Sequence, residues 1–168
     1  MSTLDFAEKF LFGPLGIKEV YWEKDSKGFN FGGGNLFMSQ YDLAKIGYLI
    51  LNNGAWDDKV IVSKHWIEQS LKSHNEWIYG FHYGYLWYLK NEKDEITGKE
   101  YAAYSASGAG GQKIYVIPDL DIYLLVLLSL YIKSQFVSMW LVLFPSDHTL
   151  HGTDTLRKSA GNMFFMLL

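Results

Sequence analysis

The chain has 168 residues, a net charge of −3 at pH 7 and a hydrophobic fraction of 49%. This size and composition predict one globular domain with a core of its own, and they exclude a disordered chain. Because the chain has no basic excess to neutralise phosphates, nucleic acid is not expected as a partner. The sequence contains no cysteine, which excludes disulfides, thiol catalysis and zinc–thiolate sites.

The first ten residues lack the basic start and apolar run of a signal peptide. The location of the protein therefore stays open between the periplasm, the outside of the cell and the cytoplasm.

Three helices are predicted in the first 71 residues. Each begins at a serine or threonine that can cap its N-terminus, and apolar residues follow at three- and four-residue spacing. The capping positions are Ser2 or Thr3, Ser39 (with Asp42 in the first turn) and Ser63. Gly13-Pro14 ends the first helix and Asn52-Asn53-Gly54 ends the second. In the third helix, we expect Trp66, Ile67 and Leu71 to face the core.

From Tyr79 onward the pattern changes to that of strands. The expected strands are 83–90, 113–118 and 121–131, with a turn at Pro118 to Asp121. Helices followed by neighbouring strands with short turns predict an α+β fold with an antiparallel sheet.

The segment 122–144 is almost continuously apolar and is long enough to span a bilayer. Lys133 would then lie near the membrane centre, at a cost of about 2.5–3.5 kcal/mol. A buried strand followed by a helix is therefore the favoured prediction, and membrane attachment through 122–144 is the alternative. Residues 146–168 show no pattern that predicts a helix or a strand.

Two glycine clusters, Gly32 to Gly34 and Gly108 to Gly111, could suggest phosphate binding. Neither fits, because no Gly-Lys-Ser/Thr follows the first and a strand, rather than a helix N-terminus, follows the second. We expect a plain turn for the first cluster.

The histidines and serines do not identify a catalytic or metal site. His148 and His151 with Asp147 form a weak metal pattern in the tail, and we expect His65 and His82 to be packed or solvated. Gly-x-Ser-x-Gly and Ser-x-x-Lys are both absent from these 168 residues. The residues alone leave enzyme and non-enzyme functions equally open.

Several separate blocks between residues 4 and 122 nevertheless follow the order and spacing of one family. They include "GGGNLFMSQYDLAKIGYLILNNG", "YGYLWYL" and "SASGAGGQKIYVIPDLDI". The chain resembles the C-terminal portion of the serine β-lactamase-related family, which contains class C β-lactamases, DD-peptidases, esterases and 6-aminohexanoate-oligomer hydrolases. The resemblance implies an antiparallel sheet flanked by helices, and ester or amide hydrolysis through an acyl-serine without a cofactor.

The resemblance also assigns roles at the second glycine cluster. Ala106-Ser107-Gly108 stands where the family has Lys-Thr-Gly, and Gly111 matches a later glycine. The backbone N–H of Ala109 would be an oxyanion donor, and Gly108 would let substrate approach the strand. Ser107 would donate a hydrogen bond to a carboxylate or carbonyl of the substrate. Because Ala106 replaces the basic lysine, the esterase and amide-hydrolase branches fit better than penicillin recognition. By analogy with the family, Tyr85 and Trp87 would line the cleft. Their aromatic side chains favour the alternative, in which both pack in the core.

The family's Ser-x-x-Lys and Tyr-x-Asn motifs have no counterpart here. The resemblance therefore predicts a C-terminal fragment that holds half an active site and gives no turnover alone. A small-molecule or peptide-like ester or amide is the expected substrate. The alternative is a non-catalytic relative that binds peptides or cell-wall fragments. Because the resemblance ends near residue 122, it divides the chain into the C-terminal part of a β-lactamase-related domain, 1–121, and an apolar, divergent tail, 122–168. A frame change or fusion after about Asp121 would explain the tail.

Overall fold

The computed structural model describes residues 1–76, 82–108, 111–130, 137–145 and 164–167. The helices are α1 (Thr3–Ala7), followed by a π-helical turn (Glu8–Phe12), α2 (Gln40–Leu51) and α3 (Lys64–Ser70), with a 3-10 turn at Pro118–Leu120. The strands are β1 (Val20–Trp22), β2 (Leu36–Ser39), β3 (Ala55–Trp56), β4 (Lys59–Val60), β5 (Asn75–Glu76), β6 (His82–Tyr83), β7 (Tyr88–Lys93), β8 (Glu100–Ser107), β9 (Lys113–Ile117), β10 (Ile122–Leu130), β11 (Val137–Pro145) and β12 (Phe164–Leu167).

A seven-stranded antiparallel sheet with strand order β11-β10-β9-β8-β7-β6-β5 forms the main layer. Its order follows the chain, so each strand pairs with its neighbour in sequence. A three-stranded sheet, β1-β2-β12, and the β3-β4 hairpin complete the strands of the described residues. The expected α+β fold with an antiparallel sheet is confirmed.

The three helices begin where their capping residues predict. The Ser2 hydroxyl accepts a hydrogen bond from the Asp5 N–H, and the Asp5 carboxylate accepts one from the Ser2 N–H. The hydroxyls of Ser39 and Ser63 likewise accept from backbone N–H groups three residues on. These bonds satisfy donors that would otherwise have no partner in the first helical turn.

The core lies between α2 and the sheet. Leu43 on the inner side of α2 is fully buried, as are Ile114 and Val116 on β9 and Tyr123 on β10. Gly47 lies where α2 crosses the sheet, and a Cβ there would be 3.0 Å from the Tyr123 ring. The glycine therefore lets the helix approach the sheet closely.

Two details of the third helix and the strand after it were predicted wrongly. Trp66 is 54% exposed, although Ile67 beside it is buried as expected. The predicted strand 83–90 is interrupted between β6 and β7, where Leu86 has a φ of 64°. A bulky residue at positive φ cannot continue a strand, so the chain turns there.

The prediction of a helix after β10 is also wrong over nine residues. Val137–Pro145 instead forms the strand β11, which pairs with β10 along its whole length. A continuous apolar run does not distinguish a buried strand from a buried helix by periodicity. Within the described residues, no helix has the length and hydropathy needed to cross a bilayer. The division of the chain at residue 121 stays a prediction.

Candidate functional site

The second glycine cluster lies at the hairpin between β8 and β9. The Gly108 N–H donates to the Gln112 carbonyl over 2.7 Å, and the Gly111 N–H donates to the Gly108 carbonyl over 3.0 Å. Ser107 and Gly108 therefore stand where β8 ends and the chain turns. Ala109 lies outside the described residues, so its role as an oxyanion donor stays a prediction.

The strand register divides the side chains near this hairpin between two faces. Ala106 pairs with Ile114, and Tyr104 pairs with Val116. Directly paired residues share a face of an antiparallel sheet, and the buried Ile114 and Val116 identify this as the face toward the core. Ala106 thus packs against the core and, unlike lysine, brings no cation.

The opposite face carries polar groups, and we call it the polar face. It is formed by Ser105, Ser107, Lys113 and Tyr115 on β8 and β9, and by Tyr88, Lys90 and Glu92 on β7. Ser105 is buried on this face between its two cross-strand partners, which are both tyrosines.

A network on the polar face centres on the Glu92 carboxylate. The Tyr115 hydroxyl donates to it, and the Lys90 ammonium forms an ion pair with it. The hydrogen bonds from Lys90 and Tyr115 hold the pKa of Glu92 below its ordinary value of 4.5. Burial, reinforced by the hydrogen bond to Glu92, raises the pKa of the Tyr115 hydroxyl. The network links β7 to β9 across β8.

This network predicts a pH effect on stability. The pKa of Glu92 is lower in the folded protein than in the unfolded chain. Its carboxylate therefore stabilises the fold at pH values above the unfolded-state pKa, and this stabilisation is lost as the pH falls through the folded-state pKa. Glu92→Gln is therefore expected to flatten the acid-side decline of the unfolding free energy. Its side chain is 39% exposed, so solvent screening limits the effect to about 0.5 kcal/mol. Urea unfolding from about pH 7 to 3 measures it, and Glu95→Gln, in the exposed turn after β7, is the control. Parallel curves for wild type and Glu92→Gln would contradict the assignment.

Tyr85 and Trp87, the two aromatic site predictions, lie in different environments. Trp87 is buried in the core, as the residues favoured. Tyr85 is 46% exposed, so the core position favoured for it is wrong. Its ring stacks on His74 with centroids 4.3 Å apart and on Trp66 with centroids 5.5 Å apart. No periodic pattern predicts this stack, because its three members come from α3, the loop after it and the turn before β7.

The histidines provide no metal centre within the part of the chain that the structure describes, where no group of three metal-ligating side chains occurs. His82 is exposed, and its Nδ1 lies 3.1 Å from the Ser73 hydroxyl. His65 is also exposed. His148 and His151 lie outside the described residues. Gly32 to Gly34 form a turn before β2, as expected, and the Trp22 indole donates to the Gly34 carbonyl.

No family model matches the chain, and no curated protein matches it. A solved structure of a candidate 6-aminohexanoate-dimer hydrolase from Bacillus anthracis matches 95% of this chain and 36% of its own, with a TM-score of 0.57 and 21% identity. A candidate beta-lactamase from Bacteroides dorei matches 69% of this chain and 40% of its own, with a TM-score of 0.51 and 16% identity.

The chain thus spans between a third and a half of the length of these solved structures. Both are described as proteins of the kind that the sequence blocks resemble. At these identities the likeness establishes the fold. The chain has a β-lactamase-like fold, as its resemblance to the serine β-lactamase-related family predicted.

Proposed function

We propose that these 168 residues form the sheet side of a serine hydrolase site that cleaves an ester or amide through an acyl-serine intermediate. The observation that carries the proposal is the position of Ser107 and Gly108 at the end of β8 in a β-lactamase-like fold. In this proposal the acyl group rests beside Gly108, where a Cβ would crowd it. Ser107 donates a hydrogen bond to the substrate, and the Ala109 N–H stabilises the oxyanion.

The nucleophile in this proposal comes from outside the 168 residues. None of their serines is followed three residues later by lysine, and a serine hydroxyl needs a neighbouring base to become a nucleophile. The absence of Ser-x-x-Lys equally supports a second candidate function. In that function the chain is a non-catalytic relative that binds peptides or cell-wall fragments at the same end of β8.

Covalent probes test where the nucleophile lies. We expect no adduct in the intact mass of the purified chain after treatment with a fluorophosphonate or a labelled penicillin, because an oxyanion donor alone forms no covalent bond. An adduct mapped to a serine of this chain would contradict the proposal.

Transcripts that extend upstream of the Met1 codon separate the two candidate functions. An extended product that carries Ser-x-x-Lys and is labelled by the fluorophosphonate supports the hydrolase. Its serine-to-alanine variant is the control and should lose the label. A reading frame without that motif favours the non-catalytic relative.

A further inference from the structure

Gln112 carries a buried side-chain oxygen, Oε1, that has no hydrogen-bond partner among the described residues. The residue is only 8% exposed, and its backbone carbonyl already accepts a hydrogen bond from the Gly108 N–H. Buried polar atoms are nearly always hydrogen-bonded, because an unpaired acceptor has lost its bond to water without replacing it. The side-chain oxygen is therefore an acceptor that is available to a donor from outside the described residues.

The hairpin places this side chain directly across from Gly108. Ser107 pairs with Lys113, so the next two opposed residues toward the turn are Gly108 and Gln112, which their backbone hydrogen bond joins. Opposed residues of an antiparallel pair share a face of the sheet. Because Gly108 has no Cβ, it leaves open the space next to Gln112 on that face. The carboxamide of Gln112 therefore borders the space in which the acyl group is proposed to rest.

We propose that Gln112 is a specificity-determining residue, and that its side-chain oxygen accepts a hydrogen bond from the N–H of an amide bound beside Gly108. This inference rests on the proposed function, which places the ligand there. An ester of the same shape has an oxygen in place of the N–H, so it brings no donor and leaves the buried acceptor unpaired. A site that loses such a bond rejects the analogue that lacks the donor. Gln112 thus selects amides over esters.

The terminal torsion of the side chain lets the oxygen meet such a ligand. This torsion in glutamine has a broad profile rather than three narrow staggered wells. The carboxamide can therefore turn toward the space beside Gly108 at little energetic cost. Without a ligand the oxygen lowers the stability of the fold, and with an amide bound it is paired. Such a cost in stability is typical of residues that are kept for function.

The stability of the ligand-free chain tests whether the oxygen is unpaired. Gln112→Met keeps the length of the side chain and removes both polar atoms, so we expect the urea midpoint to rise by about 0.5–1 M. Gln69→Met is the control, because Gln69 lies part-exposed on α3 and methionine has a similar helix propensity. Its midpoint should stay within about 0.2 M of wild type. An unchanged or lower midpoint in Gln112→Met would mean that the oxygen is already paired, and the inference would be lost.

Three probes of closely similar shape test the preference for amides. N-benzylacetamide has an N–H, benzyl acetate has an ester oxygen in its place, and N-benzyl-N-methylacetamide is an amide without an N–H. In ¹H–¹⁵N NMR titrations of the whole chain, we expect N-benzylacetamide to bind about tenfold more tightly than the other two, as one hydrogen bond to a buried acceptor predicts. It should shift the side-chain carboxamide signals of Gln112, which are assigned by their absence from Gln112→Met, and the backbone signal of Gly108.

The same two variants locate the acceptor. Gln112→Met should bind N-benzylacetamide about tenfold more weakly and benzyl acetate as tightly as the wild type does, so that the preference disappears. Gln69→Met should keep the preference. An unchanged ester affinity, together with the raised urea midpoint, shows that the loss in Gln112→Met arises from the missing acceptor and not from misfolding.

Equal binding of the three probes by the wild type, or a preference that persists in Gln112→Met, would overturn the inference. The titration measures binding without bond cleavage, so its outcome is separate from that of covalent labelling. If the extended product is labelled but the wild type shows no amide preference, the hydrolase proposal stands and only the role of Gln112 is lost. If the preference is found but labelling fails, Gln112 remains part of a non-catalytic amide-binding site and the hydrolase proposal is lost.

Discussion

Replacement of Gly54 by alanine is expected to lower the free energy of unfolding by about 3–4 kcal/mol. Gly54 follows α2 with a φ of +87°, and an added Cβ would lie 1.9 Å from the Val62 carbonyl oxygen. The backbone there is fixed, since the Gly54 carbonyl accepts hydrogen bonds from the N–H groups of Ile61 and Val62. The clash can be relieved only by separating the end of α2 from the segment before α3.

Gly98→Ala isolates the backbone part of this effect. Gly98 also has a positive φ, +72°, but a Cβ there would meet no atom within 4 Å. We expect a loss of about 1 kcal/mol, which is the cost of a left-handed conformation for a residue with a Cβ. Urea unfolding followed by tryptophan fluorescence measures both variants. If the two lost equal stability, the Gly54 to Val62 contact would have no energetic role.

The sequence predicted helix starts well because capping is local. The hydroxyls of Ser2, Ser39 and Ser63 bond to N–H groups only three residues away, so the residues that decide the boundary lie next to one another. The same holds for the turn at Pro118, where the φ of proline is fixed by its ring. These features do not depend on the rest of the fold.

Exposure and register depend on partners that are distant in sequence. Trp66 has the spacing of an inward-facing residue, but its ring is exposed and stacks on the exposed ring of Tyr85. A helix was expected where β11 lies, because a continuous run of apolar residues has no periodicity that distinguishes a buried helix from a buried strand. Only its pairing with β10 decides the assignment.

The candidate site also combines features that are local in sequence with features that depend on distant residues. Ser107 and Gly108 could be named from the sequence because the resemblance is carried by consecutive residues. The polar face could not, since the register that places Lys113 opposite Ser107 follows from the hairpin that Gly108 and Gly111 close. A hairpin one residue longer would move Lys113 to the other face of the sheet.

Gly84→Ala is expected to destabilise the chain by about 2–3 kcal/mol and to disrupt the exposed aromatic stack. Gly84 is buried, and a Cβ there would lie 2.1 Å from the Ser70 carbonyl oxygen at the end of α3. That same oxygen accepts a hydrogen bond from the Tyr85 N–H over 3.0 Å. Relief of the clash would break this bond and move the Tyr85 ring away from His74 and Trp66.

The expected signature is a loss of near-ultraviolet circular dichroism, together with a lower urea midpoint. Gly33→Ala is the matched control, because Gly33 also has no positive φ and a Cβ there would meet no atom within 4 Å. It should stay within about 0.5 kcal/mol of wild type, as surface substitutions usually do. If Gly84→Ala kept the aromatic signal at full strength, Tyr85 would be held by its ring contacts rather than by its backbone bond to Ser70. The stack would then be a cause of the turn before β7 and not its consequence.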